Sequence, residues 1–326
     1  MRGIIRKSGA IFGLFATIYA GSVLAESVYP NRPVKLIVPY GAGGSTDVVS
    51  RIVAQALTTR LQNTFIVENR PGANGVVGTS VVAQAASDGY TFLMASNGQA
   101  VNVSLYPNEQ FSLRTSFVPV VEVAVMPNVL AEHPSQSFKT VQDIVAAAKA
   151  KPGELTYAHA GIGSSQNISG EMLNMMAGIK LRGVPYKGGG PAVMDALAGN
   201  VPLVFAGLPA IVQQIKNGQL RAIAVTGPKR AAELPDVPSM IEEGYPNYSE
   251  VFWVGMVAPQ GTPKEVVDRI NGAVNDVLKD DGVAKLLAAQ GVEVAGGSRK
   301  KLTDFIISEI AKDASIIKAA NITAAE

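Results

Sequence analysis

The sequence predicts an α/β protein of two lobes that enclose a cleft. Apolar runs of strand length alternate with helical stretches, which indicates layered α/β domains with mainly parallel sheets. A join of strand, glycine-rich turn and helix occurs three times, with the turns at 40–46, 161–165 and 186–190. Two connections, near residues 125 and 227, carry the chain across, and a pair of crossovers makes a hinge that can close on a ligand. The expected division is residues 26–125 with 228–326 as the first lobe and 126–227 as the second.

The first join sets the pattern. Val34-Lys35-Leu36-Ile37-Val38 is a buried strand stopped by Pro39, and Tyr40-Gly41-Ala42-Gly43-Gly44-Ser45-Thr46 is the turn. The pairs Val48/Val49, Ile52/Val53 and Ala56/Leu57 recur four residues apart and give the following helix one apolar face. Phe65-Ile66-Val67 reads as the second strand, 68–75 as a polar loop, and 76–86 as a helix ended by Ser87-Asp88-Gly89. Thr91-Phe92-Leu93-Met94-Ala95 is the third strand. Ser96-Asn97-Gly98 is a polar turn at its C-terminal end, the side on which ligands of such sheets gather.

The extended run 117–131 crosses to the second lobe, and His133-Pro134 breaks it. A helix over 141–150, a strand over 155–157, the turn 161–165 and a helix over 166–177 then repeat the first join. Val184-Pro185-Tyr186-Lys187-Gly188-Gly189-Gly190-Pro191 makes the third, with Pro191 as the first helical residue. Strands at 201–205 and 221–225 and a loop-rich run at 228–246 follow. A late strand over 252–259 and helices over 263–278, 283–289 and 298–319 are expected to return to the first lobe.

Of 326 residues, 47% are hydrophobic and 17% charged, which suffices for sizeable cores. The formal charge of +2, without a basic stripe and interleaved aromatics, makes no case for nucleic acid. Residues 1–25 read as a cleaved secretory signal. Arg2, Arg6 and Lys7 precede an apolar run over 11–20, and Val23-Leu24-Ala25 is a processing site. Removing those three positive charges takes the formal charge from +2 to −1. The chain has no Cys, which excludes disulfides, thiolate metal sites and a Cys-linked lipid. No later stretch is a membrane-span candidate. The expectation is a soluble monomer exported to a bacterial periplasm.

Each join is a device for holding an anion. The first turn of a helix has N–H groups without partners and the positive end of the macrodipole, and glycine lets a ligand approach that backbone. Facing one cleft, the three turns make a neutral, amide-lined anion site. The candidate ligand-binding residues are Tyr40, Gly41, Ala42, Gly43, Gly44, Ser45, Thr46 and Asp47 on the first turn and Ser96 and Asn97 after the third strand. In the second lobe they are Gly161, Gly163, Ser164 and Ser165, then Tyr186, Lys187 and Gly188. Asp47 has two readings: a first-turn acid favoured by the dipole, or a partner for a ligand ammonium. Lys187 either meets a carboxylate or stays in solvent. Phe252 and Trp253 either wall the cleft or pack in the core.

Catalytic readings find little support. There is no G-x-S-x-G, and His159 lies near Ser164 and Ser165 in sequence only. His133 precedes a proline. No H-E-x-x-H and no carboxylate cluster marks a metal. No enzyme activity, metal or cofactor is expected. The rivals to a transport protein are a ligand sensor without a permease and a secreted serine hydrolase.

Nearly the whole mature chain resembles the Bug-type substrate-binding proteins of tripartite tricarboxylate transporters. The resemblance is carried by Tyr29-Pro30-Asn31-Arg32-Pro33 and by Val38-Pro39-Tyr40-Gly41-Ala42-Gly43-Gly44-Ser45-Thr46-Asp47. It continues in Val67-Glu68-Asn69-Arg70-Pro71-Gly72-Ala73-Asn74-Gly75, Ser87-Asp88-Gly89-Tyr90-Thr91 and Val184-Pro185-Tyr186-Lys187-Gly188. It implies a periplasmic-binding-protein fold of the Venus-flytrap, type II-like kind with a central ligand cleft. It also implies a small carboxylate ligand: a di- or tricarboxylate, an aromatic acid or an acidic amino acid. Backbone amides and ordered water would hold that ligand, for delivery to membrane permease subunits driven by an ion gradient. By position, residues 40–47, 161–165 and 186–188 match the family's ligand segments. Members often carry a His after the third strand, where this chain has Asn97-Gly98-Gln99-Ala100-Val101-Asn102.

Overall fold

The computed structural model describes Gly3 and residues 29–324, so the signal expected over 1–25 lies, Gly3 apart, outside the described residues. Among those, no helix is long and apolar enough to cross a membrane. The chain opens with β1 (Val34–Val38), α1 (Ser45–Leu61), β2 (Phe65–Asn69), a 3-10 turn at Ala73–Gly75, α2 (Val76–Ala83), β3 (Thr91–Ser96) and α3 (Asn97–Leu105). β1 lies between β2 and β3 and runs parallel to both, and its apolar residues Val34, Leu36 and Val38 are fully buried. Four residues per helical repeat put Val49, Val53 and Leu57 on the buried side of α1, against that sheet.

β4 (Phe117–Glu132) is a single strand of 16 residues that serves two sheets. Its first part, Phe117 to Pro127, pairs with β9 (Val251–Pro259), and Ala124 and Val125 also meet β10 (Glu293–Val294). Its last part, Asn128 to Glu132, pairs with β7 (Leu203–Gly207) and with β8 (Arg221–Val225). The second half is completed by α4 (Val141–Ala150), β5 (Thr156–His159), α5 (Ser165–Ala177), β6 (Arg182–Pro185), α6 (Gly189–Leu197) and α7 (Leu208–Lys216). There β5 is the middle strand, parallel to β6 and β7. After β9 come α8 (Lys264–Leu278), α9 (Asp281–Ala288), β10 and α10 (Arg299–Ala320).

The sheet is mixed rather than mainly parallel. Each half holds one parallel set, β2-β1-β3 and β6-β5-β7, made by helical crossovers. The two strands that travel between halves run against these sets: β9 is antiparallel to β3 and β4, and β4 is antiparallel to β7 and β8.

Three elements lie outside the sequence expectation. α3 begins where a polar turn is expected; Ser96 and Gln99 form a capping box, so the signal was the Ser-x-x-Gln spacing. α7 follows directly on β7 with Pro209 in its first turn, and β10 is a two-residue edge strand. The second return is also later than expected. Ala231 and Leu234 pack in the second half beside Val204 and Val225, and Met240 and Tyr248 pack there beside Tyr157 and Phe205. The chain re-enters the first sheet only at Val251. α10 bridges both halves. Leu302 and Ile306 share a core with Trp253 in the first, and Ile317 joins the core of the second.

Candidate functional site

Four helices point their N-termini at one cavity between the halves. Its volume is about 20 Å3, and it is lined by Gly44, Ser45 and Thr46 of the α1 start, Ser96 and Gly98 of the α3 start, Ser164, Ser165 and Gln166 of the α5 start and Gly189 of the α6 start. Tyr40, Ala160 and Phe252 complete the wall. None of these residues is an acid or a base. Each helix N-terminus carries roughly half a positive charge in its unpaired N–H groups, so the cavity attracts anions without a charged side chain.

Local sequence explains why the helices start where they do. Gly44 caps α1 with its backbone alone, while the Ser164 hydroxyl accepts from the Asn167 N–H (3.2 Å) to cap α5. The Ser96 N–H donates to Gln99 Oε1 (2.9 Å), and Tyr40 is buried beside them, its hydroxyl accepting from Ser96 Oγ (3.2 Å). Loss of water around that phenol raises its pKa above the usual tyrosine value.

The halves touch on both sides of the cavity, and they touch at glycines. On one side the Gly41 N–H donates to the Lys187 carbonyl across the halves (2.8 Å). A Cβ on Gly188 would stand 2.6 Å from Gly41 N, and one on Gly190 would stand 2.1 Å from the Ala42 oxygen. Gly207 likewise makes room for Ser45 Oγ. On the other side, Asn74, Val101 and Leu105 press on Gly163, whose φ of +79° suits glycine alone.

Behind the lining, Ser165 and Gln166 join a polar net around Asn128, at the point where β4 passes from one half to the other. Asn128 Nδ2 donates to Ser165 Oγ and to Ser169 Oγ (3.1 Å each), and Gln166 Nε2 donates to Asn128 Oδ1 (3.2 Å). Two lining atoms have no partner among the described residues: Ser45 Oγ and Gln166 Oε1, on residues 5% and 3% exposed.

Comparison with known proteins matches residues 49–322 to the model of the tripartite tricarboxylate transporter family receptor. The chain belongs to this family. It is 35% identical over 312 residues to Protein BugT of Bordetella pertussis, an alignment covering 95% of this chain and 96% of BugT. Among solved structures it is similar to the periplasmic binding protein BugD, with 35% identity, a TM-score of 0.87 and coverage of 90% of this chain and 99% of that one. It is also similar to Rpa4515 of R. palustris, solved with adipate, with 34% identity, a TM-score of 0.88 and coverage of 90% and 99%. As a family of solute-binding receptors, it is not a family of enzymes.

Of the residues singled out in the receptor's sequence, Tyr40, Gly44, Ser45, Thr46, Ser96, Ser164 and Ser165 line the cavity. Gly41, Ala42, Lys187 and Gly188 form the contact between the halves instead. The Lys187 side chain is exposed, and the Tyr186 hydroxyl is bonded to Asp195, away from the lining. Gly43 and Asp47 are bonded to each other, N–H to Oδ2 (2.9 Å). Asp47 also accepts from Arg51 Nε (3.0 Å) and Asn69 Nδ2 (3.0 Å). Burial works to raise its pKa, but these hydrogen bonds outweigh it and hold the carboxyl below the usual carboxylate value. With both oxygens occupied, Asp47 is a strut of its own turn and not an ammonium partner.

Asn97 spends its side chain pinning the start of β9. It donates to the Val251 carbonyl (2.9 Å) and Glu250 Oε1 (3.2 Å) and accepts from the Trp253 N–H (3.0 Å). Trp253 is fully buried in the core against Phe305, while Phe252 walls the cavity. Gly161 and Gly163 brace the second turn through His159 Nδ1 (3.3 Å) and Asn167 Oδ1 (3.0 Å). Burial lowers the His159 pKa to about 4, so its ring is neutral and serves the backbone of that turn. Gly98, Ala160, Gln166 and Gly189 line the cavity without having been singled out as ligand-binding residues. The capping box at Ser96 marks Gly98; small or ordinary helical residues such as Ala160 and Gln166 carry no sequence signal.

Proposed function

We propose that this receptor is a periplasmic solute-binding protein that closes its two halves on a small carboxylate and hands it to membrane permease subunits. The observation that carries the reading is the uncharged cavity at which four helix N-termini converge. N–H dipoles favour an anion there by typically 0.3–1 kcal/mol each at exposed sites and more when water is excluded. The export signal read from residues 1–25, the family membership and adipate in Rpa4515 support it further. In this reading the halves are lobes hinged at β4 and at the segment from β8 to β9, and Ser45, Thr46, Ser164 and Ser165 face the ligand with the N–H groups of their helix turns. A carboxylate shared by N-termini of both halves binds the closed form better than the open one, which is the condition for closure to follow binding. Closure then makes the surface that the permease recognises.

The test is a thermal-shift panel on refolded, ligand-free protein with aliphatic di- and tricarboxylates, aromatic acids, acidic amino acids, and their esters or amides. A ligand at 100 times its Kd adds about 2.7 kcal/mol, a clear rise in Tm. A free carboxylate that raises Tm where its ester does not supports the reading; a panel without any such acid overturns it.

A further inference from the structure

We propose that Gln166 selects carboxylates that carry a hydroxyl group, by accepting a hydrogen bond from that hydroxyl at Oε1. The inference rests on the carboxylate reading above and narrows its ligand to hydroxy acids.

Neighbouring donors and acceptors fix the orientation of the Gln166 amide. Ser169 Oγ gives its proton to the Ser165 carbonyl (2.8 Å), so toward Asn128 it can only accept. Asn128 therefore presents Nδ2 to it, and its Oδ1 turns toward Gln166. A carbonyl oxygen cannot donate, so Gln166 must present Nε2 to it, at 3.2 Å. What remains is Gln166 Oε1, an acceptor without a partner among the described residues, on a side chain 3% exposed in the cavity wall.

A buried acceptor left unpaired disfavours the complex, so it selects ligands that bring a donor. An ionised carboxylate brings none: its oxygens only accept, and they suit the N–H groups of the four helix turns. An ammonium brings donors together with a charge. No lining side chain is an acid, and the oxygens of nearby Asp47 are taken by Gly43, Arg51 and Asn69. Burying an unpaired ammonium against helix N-termini is unfavourable. A neutral hydroxyl meets the acceptor without that charge. Gln166 is the second residue of α5 and lines the cavity beside Ser164 and Ser165, so the proposed pose sets the carboxylate on the helix turns and its hydroxyl at Oε1.

The experiment is isothermal titration calorimetry on the purified full-length protein, unfolded and refolded to remove ligand. The matched pairs are malate with succinate, citrate with tricarballylate, and mandelate with phenylacetate, with aspartate as the ammonium counterpart of malate. The expected result is one hydroxy acid bound about tenfold or more tighter than its partner. In Gln166→Met that ratio falls to about one, whatever the change in the affinity of either acid alone. A ratio near one in the natural protein, a ratio that survives in Gln166→Met, or aspartate bound better than malate overturns the inference and leaves the carboxylate reading standing. If no acid in any pair binds, this inference falls, and the wider thermal-shift panel decides the carboxylate reading separately. The ratio in the natural protein decides even if Gln166→Met does not fold, and Gln166→Asn, which keeps the amide but withdraws it, is the second variant.

Discussion

At the α5 start, the turn is tied off within its own half. The Ser164 hydroxyl caps the helix, Asn167 Oδ1 takes the Gly163 N–H, and His159 holds Gly161. At the α1 start, Asp47 takes the Gly43 N–H, but Gly44 caps without a side chain, Ser45 Oγ is unpartnered, and the Gly41 N–H reaches its acceptor, the Lys187 carbonyl, only across the cavity. Both turns join a strand to a helix through glycine and serine. One is hydrogen-bonded within its own half; the other takes an acceptor from across the cavity, which would couple it to the proposed closure.

The largest effect is expected at Gly163. Gly163→Ala puts a side chain at a φ of +79° and a Cβ 2.8 Å from Val101 and 2.9 Å from Leu105. Left-handed strain of about 1–2 kcal/mol is local to the turn and lowers the ligand-free Tm by several degrees, and the contact with Val101 and Leu105 of the other half weakens binding as well. An unchanged Tm would show that the second turn does not depend on its own geometry.

Gly190→Ala sharpens the contrast. Its Cβ meets the Ala42 oxygen, an atom of the other half, and no left-handed φ is involved. Overpacking of about 1–3 kcal/mol then opposes closure, and affinity drops roughly ten- to hundredfold. The ligand-free Tm stays close to that of the natural protein. A fall in Tm equal to that of Gly163→Ala would erase the distinction between the two turns.

The smallest effect is in acid. Burial depresses the folded His159 pKa from 6.5 to about 4, so its contribution to stability is whole above pH 6.5 and is lost as pH falls toward 4. Asp47, on the first turn, is also depressed, from 3.8, and acts only below that value. Glu250, raised to about 8, and Asp313, raised to about 7, act in the opposite sense: each gains stability as pH falls through its folded value. Thermal melts from pH 7 to pH 4 are therefore compared between the natural protein and His159→Gln. The variant is expected to lose less stability over that interval, while Asp47→Asn keeps the natural slope down to about pH 4.

Much of the frame was legible in the chain. Three strands that alternate with amphipathic helices in each half, the long run that became β4, and Val141–Ala150 as α4 follow from periodicity, because burial on one face leaves a mark in the residues themselves. β9 looked like any buried strand, since an apolar run does not record the direction of its neighbours. The 228–246 run looked loop-rich, since a few buried residues such as Leu234 and Met240 have no period. Of the proposed site, Ser45, Thr46, Ser164 and Ser165 were marked by helix-start chemistry; Gln166 and Ala160 were not.

The strand–turn–helix joins and the absence of any nucleophile motif were fixed along the chain, because both depend on near neighbours in sequence. Only the tertiary structure decided what each glycine is for. A missing side chain leaves room, and whether a ligand or another backbone fills that room depends on residues far away in sequence. Gly41 and Gly188 face each other across the halves, while Gly44 and Gly189 border the cavity. The same holds for Gln166: its free oxygen follows from the order in which Ser169, Asn128 and Gln166 spend their donors, an order set where β4 passes α5.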